Sequence, residues 1–497
     1  MERVILILTM TFYFIVLVLI GIFSRQESDS VGGYYAAGKK LRYWIVSFST
    51  NATGESSWLL LGLTGMGYAV GVHAFWVILG EVLGVAVSWI YMARRFKVYT
   101  DKYQSITVPD FLEDRFDDHR HTMRIISAII LATMVTSYVA AQLTATGIVF
   151  KSFFQVDFLT GTIIGLAIIL FYTVIGGLKA VARADFMHGL LMLLGLIALP
   201  VVAIAHCGGF AEMFSVLEST DPNLLKLCGS YGFSTSGIIS ILSFLGVGLA
   251  FLGAPQLFVR FIAARDQTEL IYGKYVAIPF ILIIDAGAVL AGMAGRVLFP
   301  VLEDQELIMP TISSELFPAL ITGLFLAIVL AAIISTVDSL LILLSSAVIR
   351  DVYQKILRPE ATQKRIVFLG KLMTVIVGIA AFWFSLVESR LIFWFVLFAW
   401  SGIGCAFCPV VILSLFWKRT TKAGAIAGMC SGFLITIIWA VFFKSSTNLY
   451  EMVPGFIGSI ITIILVSLFS HPPEKSAEEI QYVTETVKNY RIKRMGR

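Results

Sequence analysis

Late in one long apolar run, Ser335, Thr336, Asp338 and Ser339 fall within five residues, one turn after Ala332. On a helix Ser335, Asp338 and Ser339 stand at i, i+3 and i+4 and share a face. Hydroxyl oxygens, joined by backbone carbonyls freed at a broken helix, make a cage of hard and mostly neutral oxygens. Such a cage suits a monovalent cation, because divalent ions recruit more carboxylates. The plainer reading is that the hydroxyls bond back to their own helix. Carboxylates stand out as well: Glu55, Asp185 and Asp338 interrupt apolar sequence, and Asp285 is a fourth, with no polar neighbour along the chain. A carboxylate at membrane depth costs several kcal/mol unless it pairs, binds a cation or reaches water. Asp185 follows Arg183 at an expected helix start, where it serves equally well as a cap.

The elements that must hold these residues are membrane helices. Of 497 residues 58% are hydrophobic and 14% charged, whereas soluble domains carry about a quarter charged residues. Apolar runs between charged residues predict thirteen spans: 4–23, 45–70, 74–92, 124–150, 157–176, 186–205, 236–260, 275–299, 318–347, 366–386, 390–416, 423–443 and 452–470. The fold class expected is all-α and membrane-embedded. Two spans depart from ordinary lipid-facing helices. The second carries Ser49-Thr50-Asn51-Ala52-Thr53-Gly54-Glu55-Ser56-Ser57-Trp58, and the seventh carries three glycines and Pro255 between Gly246 and Gln256. Both sequences weaken a continuous helix. Irregular backbone is tolerated at that depth only inside protein or beside a watery cavity. Interruptions at matching places of two halves mark an inverted-repeat transporter with its site at the breaks. Spans 2–6 (residues 45–205) and 7–11 (residues 206–416) then form two five-helix repeats, with residues 1–44, 417–470 and the tail 471–497 outside them.

Orientation follows from basic residues. The segments 24–44, 93–123, 177–185, 260–275, 348–365, 417–422 and 471–497 hold 29 of the 37 Lys and Arg, which places them on the cytoplasmic side and the N-terminus outside. The expected location is the plasma membrane, the inner membrane in a bacterium. The net charge of +5 is a topology signal and calls for no nucleic-acid partner. The stretch Val4–Phe23 is too long for a signal-peptide core and lacks a small-residue cleavage site. The histidines, among them His73, His188 and His206, follow no metal spacing, and no phosphate loop or nucleophile–base pair occurs. Cys405 and Cys408 have CxxC spacing in an apolar run without a second pair. Cys207 and Cys228 flank one hydrophilic loop, a geometry open to bridging in an oxidising compartment.

At these same residues the chain resembles the sodium:solute symporter family, most closely its sodium/proline symporter branch. The likeness runs through Ser57-Trp58-Leu59-Leu60-Leu61-Gly62-Leu63, Val108-Pro109-Asp110-Phe111, Tyr172-Thr173-Val174-Ile175-Gly176-Gly177, Pro255-Gln256 with Arg260-Phe261-Ile262, Ser335-Thr336-Val337-Asp338-Ser339, Ala399-Trp400-Ser401-Gly402 and Gly424-Ala425-Ile426-Ala427-Gly428. The resemblance implies a LeuT-like inverted five-helix repeat. It implies one Na+ site from backbone oxygens of Ala52, Glu55 and Ala332 with the hydroxyls of Ser335 and Thr336. A second, further inward, would use Asp185, Ser335, Asp338 and Ser339. Substrate contacts map to Trp58, Tyr138, Phe251 and Pro255. Three positions depart from the proline pattern: Gly54 stands where those carriers have an acid, Val247 where they have a tryptophan, and Phe251 where they have a tyrosine. Loss of the indole at Val247 enlarges the pocket.

The function expected is therefore Na+-coupled symport of a small organic solute, an amino acid such as proline, by alternating access. The rival within transport is proton coupling through the same carboxylates. A transporter-like membrane sensor is the reading from another class, disfavoured by a tail too short for an output domain.

Overall fold

A computed structural model describes residues 2–24, 30–386 and 392–495. Every regular element among the described residues is a helix, the one strand-like contact being a bridge between Leu41 and Ala264. The principal helices are α1 (Glu2–Ser24), α2 (Tyr43–Ser57), α3 (Thr64–Val70), α4 (Phe75–Val87), α5 (Thr122–Phe154), α6 (Phe158–His206), α7 (Thr235–Gly246) and α8 (Pro255–Ala263). They continue with α9 (Gln267–Leu298), α10 (Ala319–Ser345), α11 (Gln363–Ser385), α12 (Ile392–Phe416), α13 (Lys422–Ile438), α14 (Met452–Leu468) and α15 (Ser476–Met495). Side-chain oxygens start several of them. Asp157 accepts from the Thr160 amide, Ser234 from Gly237, Asp266 from Thr268 and Glu269, and Thr421 from Gly424, each meeting an amide that the first helical turn leaves free.

Ten described helical stretches are long and apolar enough to cross a membrane, against the thirteen segments expected. The difference has two sources. Tyr43–Lys102 runs on as one helical stretch, and the apolar helices Phe158–Phe171 and Met452–Leu468 are short. The first two residues of the segment expected at 390–416 lie outside the described residues, as do the side chains of the tail's Arg491, Lys493 and Arg494 and the whole of Arg497. Helix α6 has 49 residues, a length of about 70 Å at the usual rise, more than twice a bilayer core. It is divided at Gly177, where φ is 58°, a left-handed conformation open to glycine; a Cβ there would also lie 2.8 Å from the Tyr34 ring.

Both expected interruptions are present. Helix α2 breaks at Ser56, a non-glycine residue with φ 48° and ψ −167°. Helix α7 gives way to a 3-10 segment over Val247–Leu252, and α8 then begins on Pro255, which needs no amide partner in a first turn. Around the second break the packing is backbone against backbone: a Cβ on Gly248 would lie 1.8 Å from the Gly80 carbonyl oxygen, and one on Gly84 2.1 Å from that of Gly248. Helix α9 meets α3 in the same way, at Gly67 and Gly292.

At the end carrying the basic loops, Arg124 pairs with Asp110 at 2.7 Å and with Asp351 at 2.6 Å. Burial alone would raise the Asp110 carboxyl, but Arg350 and Arg124 outweigh it and hold the group below the usual carboxylate range. Helix α15 docks beside this cluster, Glu479 taking Lys102 at 2.6 Å and the Tyr103 hydroxyl at 2.6 Å. All five cysteines are free. Cys207 and Cys228 are therefore not bridged, and the Cys207 thiol lies instead 3.6 Å from the Ala294 carbonyl.

The seam between α4 and the 3-10 segment sets a test. Gly248→Ala should destabilise the protein by about 1–3 kcal/mol, the range for overpacking a tight site. Gly246→Ala, whose Cβ meets side chains alone, Val453 at 2.8 Å and Tyr450 at 3.6 Å, should cost less. Thermal unfolding of both in detergent checks the order, and equal melting temperatures would discard the seam.

Candidate functional site

The break in α2 frees polar backbone in a place with no solvent, and the surrounding side chains answer it. The Ser57 amide donates to Gln142 Oε1 at 3.1 Å, and the Trp58 amide donates to Ser56 Oγ at 3.2 Å. Across from the break, the Ser335 hydroxyl of α10 lies 2.9 Å from the carbonyl oxygens of both Ala52 and Ala332. Thr336 Oγ1 donates to the Thr53 carbonyl at 3.1 Å. Ala52, Ala332, Ser335 and Thr336 thus converge, all of them buried. Glu55 shares α2 with Ala52, but its carbonyl accepts from the Trp58 amide. Its carboxylate lies with those of Glu81 on α4 and Asp285 on α9.

The inward set also assembles. Asp185 Oδ2 accepts from the Ser49 hydroxyl at 2.6 Å, and Ser339 Oγ lies 3.1 Å from Thr53 Oγ1, 3.3 Å from Asp338 Oδ1 and 2.7 Å from the Ser335 carbonyl. A fixed cation sits among them. Arg260 of α8 donates to Ser49 at 3.1 Å, Thr53 at 2.9 Å, Asp185 at 3.3 Å and also Ser339. Sequence reasoning gave Arg260 no role. A buried guanidinium can be held only by such a dense set of acceptors, and a lone arginine at the end of a broken span is the signal that was available. His188, buried one turn beyond Asp185, faces it at 3.9 Å and contacts the Tyr13 hydroxyl at 3.1 Å.

The expected substrate residues gather mostly around one ring. Trp400 of α12 packs on Tyr138 and on Phe251, with centroids 6.5 Å and 5.2 Å away, and its indole N–H donates to the Val247 carbonyl at 3.0 Å. Trp58 stacks on Phe393 at 5.8 Å. Pro255 instead borders a small inner cleft with Arg260 and Ser339. Trp400 and Phe393 were not singled out as contacts, because an aromatic residue in a wholly apolar helix looks like any other core residue. Glu306 sits behind this group, accepting from the Ile392 and Phe393 amides at 2.9 Å and 2.8 Å; despite those bonds, burial pushes its carboxyl up to about 7. Gly54 is pressed on Phe251, and a Cβ at Gly54 would lie 2.9 Å from that ring.

Two broken helices around a hydroxyl-and-carbonyl set are the geometry of an ion-coupled carrier. Residues 34–432 match the sodium:solute symporter family. The chain belongs to the sodium:solute symporter family. Among its relatives, the high-affinity proline transporter PutP of Bacillus subtilis (strain 168) is 35% identical over 93% of this chain and 98% of its own length. The osmoregulated proline transporter OpuE of the same organism is 34% identical over 97% and 98%, and a sodium/proline symporter of Staphylococcus aureus is 34% identical over 93% and 92%. A Na+-coupled sialic acid symporter, solved in a substrate-bound outward-open state, superposes with a TM-score of 0.79 at 20% identity, covering 94% of this chain and 98% of that one. This symporter is thus a membrane transporter with a LeuT-like fold, coupled to Na+, and not an enzyme.

In this symporter two departures from the proline pattern, at Gly54 and Phe251, are one contact. Gly54→Ala should displace the Phe251 ring and raise the half-saturating solute concentration, and Phe251→Leu beside it should restore part of the loss. A double-mutant cycle on uptake should give a coupling of about 0.5–3 kcal/mol. Strictly additive effects would show that the two positions do not meet in the working protein.

Proposed function

We propose that this symporter carries a small zwitterionic amino acid, proline or a close analogue, inward with Na+. The observation that carries the reading is the Ser335 hydroxyl held 2.9 Å from the carbonyls of Ala52, beside the break in α2, and of Ala332 on the facing helix α10. Na+ there would be held by Ala52, Glu55 and Ala332 through backbone oxygens, with Ser335 and Thr336 through hydroxyls. Bound at the break, the ion steadies unwound backbone and raises affinity for solute beside it; by reciprocity the solute raises affinity for the ion. The solute's apolar body packs among Trp58, Tyr138, Val247, Phe251 and Trp400, and its carboxylate meets amides freed at a half-helix start. With Val247 in place of an indole, the pocket admits solutes somewhat larger than proline.

The inner set of Asp185, Ser335, Asp338 and Ser339 takes a second Na+. Arg260 neutralises one carboxylate charge, and Asp185 Oδ1 and Asp338 Oδ2 still lack hydrogen-bond partners. Thirteen crossings, two repeats over 45–205 and 206–416, the N-terminus outside and the tail inside complete the reading. In that orientation a cavity of about 530 Å³ bordered by Met66, His73, Phe244 and Trp394 lies on the outer side of the aromatic group. The membrane potential then contributes roughly 2.3 kcal/mol per charge per 100 mV to accumulation.

Uptake into proteoliposomes at fixed pH, with Na+ exchanged for choline, tests the coupling; uptake that persists in choline and follows a pH gradient would replace Na+ with H+. Ser335→Ala and Thr336→Ala should each raise the half-saturating Na+ concentration roughly fivefold or more, the worth of about one hydrogen bond. Unchanged Na+ dependence in both would remove the first site. The reversal potential of coupled flux gives the ion-to-solute ratio, expected to exceed one, and a ratio of one would leave Asp185 and Asp338 as partners of Arg260 alone.

A further inference from the structure

Three carboxylates remain outside every site described so far. Glu55 on α2, Glu81 on α4 and Asp285 on α9 each place an oxygen within 4.8 Å of the other two, and the three residues are 0%, 2% and 0% exposed. Both oxygens of Glu55, both of Asp285 and Oε2 of Glu81 receive no hydrogen bond from any residue outside the cluster, within which Glu81 and Asp285 are close enough to share a proton. Among the described residues no Lys, Arg or His pairs with any of them. Elsewhere the same chain answers its buried acids: Asp185 has Arg260, Asp351 has Arg124, Glu451 has Lys444 at 2.8 Å, and Glu306 has two amides. Three carboxylates that bring an oxygen apiece within 4.8 Å of one another in a buried interior repel when ionised, so the ionised cluster is incomplete without positive charge.

We infer that Glu55, Glu81 and Asp285 form a further cation site that takes a hard inorganic ion, Na+ or a divalent cation, through carboxylate oxygens. Three oxygens no more than 4.8 Å apart share a point within about 2.8 Å of each, and hard cations are held by oxygens at about 2.3–2.6 Å, so a small inward shift completes the contact. The site is separate from the hydroxyl set, whose ligands are neutral oxygens on α2 and α10. Its place gives it a structural consequence. Glu55 precedes Ser56, the residue whose left-handed backbone breaks α2, while Glu81 follows Gly80, which touches Gly248 of the other break. One ion here ties the two breaks together through α4.

The test uses purified full-length protein in detergent, with NaCl, CaCl2 or MgCl2 as the only added ion and choline chloride holding ionic strength constant. A hydrophobic carbodiimide, which modifies buried carboxyl groups, is applied and the modified peptides are quantified by mass spectrometry. Modification of Glu55, Glu81 and Asp285 should fall saturably as the binding ion is added. Protection by Na+ alone, or by Ca2+ or Mg2+ alone, identifies which source fills the site. The isosteric changes Glu81→Gln and Asp285→Asn should each raise the half-protecting concentration roughly tenfold or more, while Ser335→Ala leaves it unchanged. The inference is overturned if no ion protects the wild type and modification follows pH alone, since the cluster then holds protons. Protection that survives both isosteric changes overturns it equally. Should either variant fail to elute as a single species, protection of the wild type still decides. Because no solute is present, this result stands apart from whether proline is the cargo.

Discussion

Every unusual feature of this protein descends from one constraint: backbone amides and carbonyls at membrane depth have no water to turn to. Helix α2 violates continuity at Ser56, and the molecule then spends polar side chains on the consequences. Gln142 takes the Ser57 amide, Ser56 takes the Trp58 amide with its own hydroxyl, and Ser335 and Thr336 reach across from α10 to the carbonyls of Ala52 and Thr53. The same groups that satisfy the break are those proposed above to supply the oxygen ligands of Na+. On that proposal ion binding and local stability are properties of one set of atoms, and the ion would meet carbonyls already gathered.

The arrangement of charge follows the same logic at longer range. Arg260 is wholly buried, yet each direction of its guanidinium meets an acceptor, from Ser49 and Thr53 on α2 to Asp185 on α6 and Ser339 on α10. It links both broken helices with the two helices that carry the inner carboxylates. The guanidinium is offset by two carboxylates, and one oxygen of each still lacks a hydrogen-bond partner.

What the sequence made legible was whatever local chemistry forbids by default. Polar residues Ser49–Ser57 inside an apolar run, glycines around Pro255, and Ser335 to Ser339 at helical spacing all broke a rule, and all of them lie at the breaks or beside them. Ordinary residues stayed silent. Trp400 and Phe393 organise the aromatic group that holds Tyr138, Phe251 and Trp58, but an aromatic ring in an apolar helix carries no local anomaly, and its role depends on which helix faces it. Glu81 is the instructive omission: it is an acid in an otherwise apolar helix, as conspicuous as Glu55 by the same criterion, and its significance appears only once α2, α4 and α9 are brought together. The number of crossings was blurred for a different reason, since α6 and the stretch Tyr43–Lys102 turn without leaving helical conformation for more than a residue or two.

The glycine seam between α4 and the second break has a mechanical meaning. Side chains between helices act as compliant spacers, because rotamer changes let one helix slide on another by small steps. Where Gly80 and Gly84 meet Gly248 there is no spacer, only main chain lying in main chain, and relative sliding would force peptide groups through one another. Helix α4 and the seventh segment consequently move as a single rigid piece. The displacement that exposes the solute first to one face of the membrane and then to the other has to be taken up elsewhere, at interfaces filled by larger and more yielding residues.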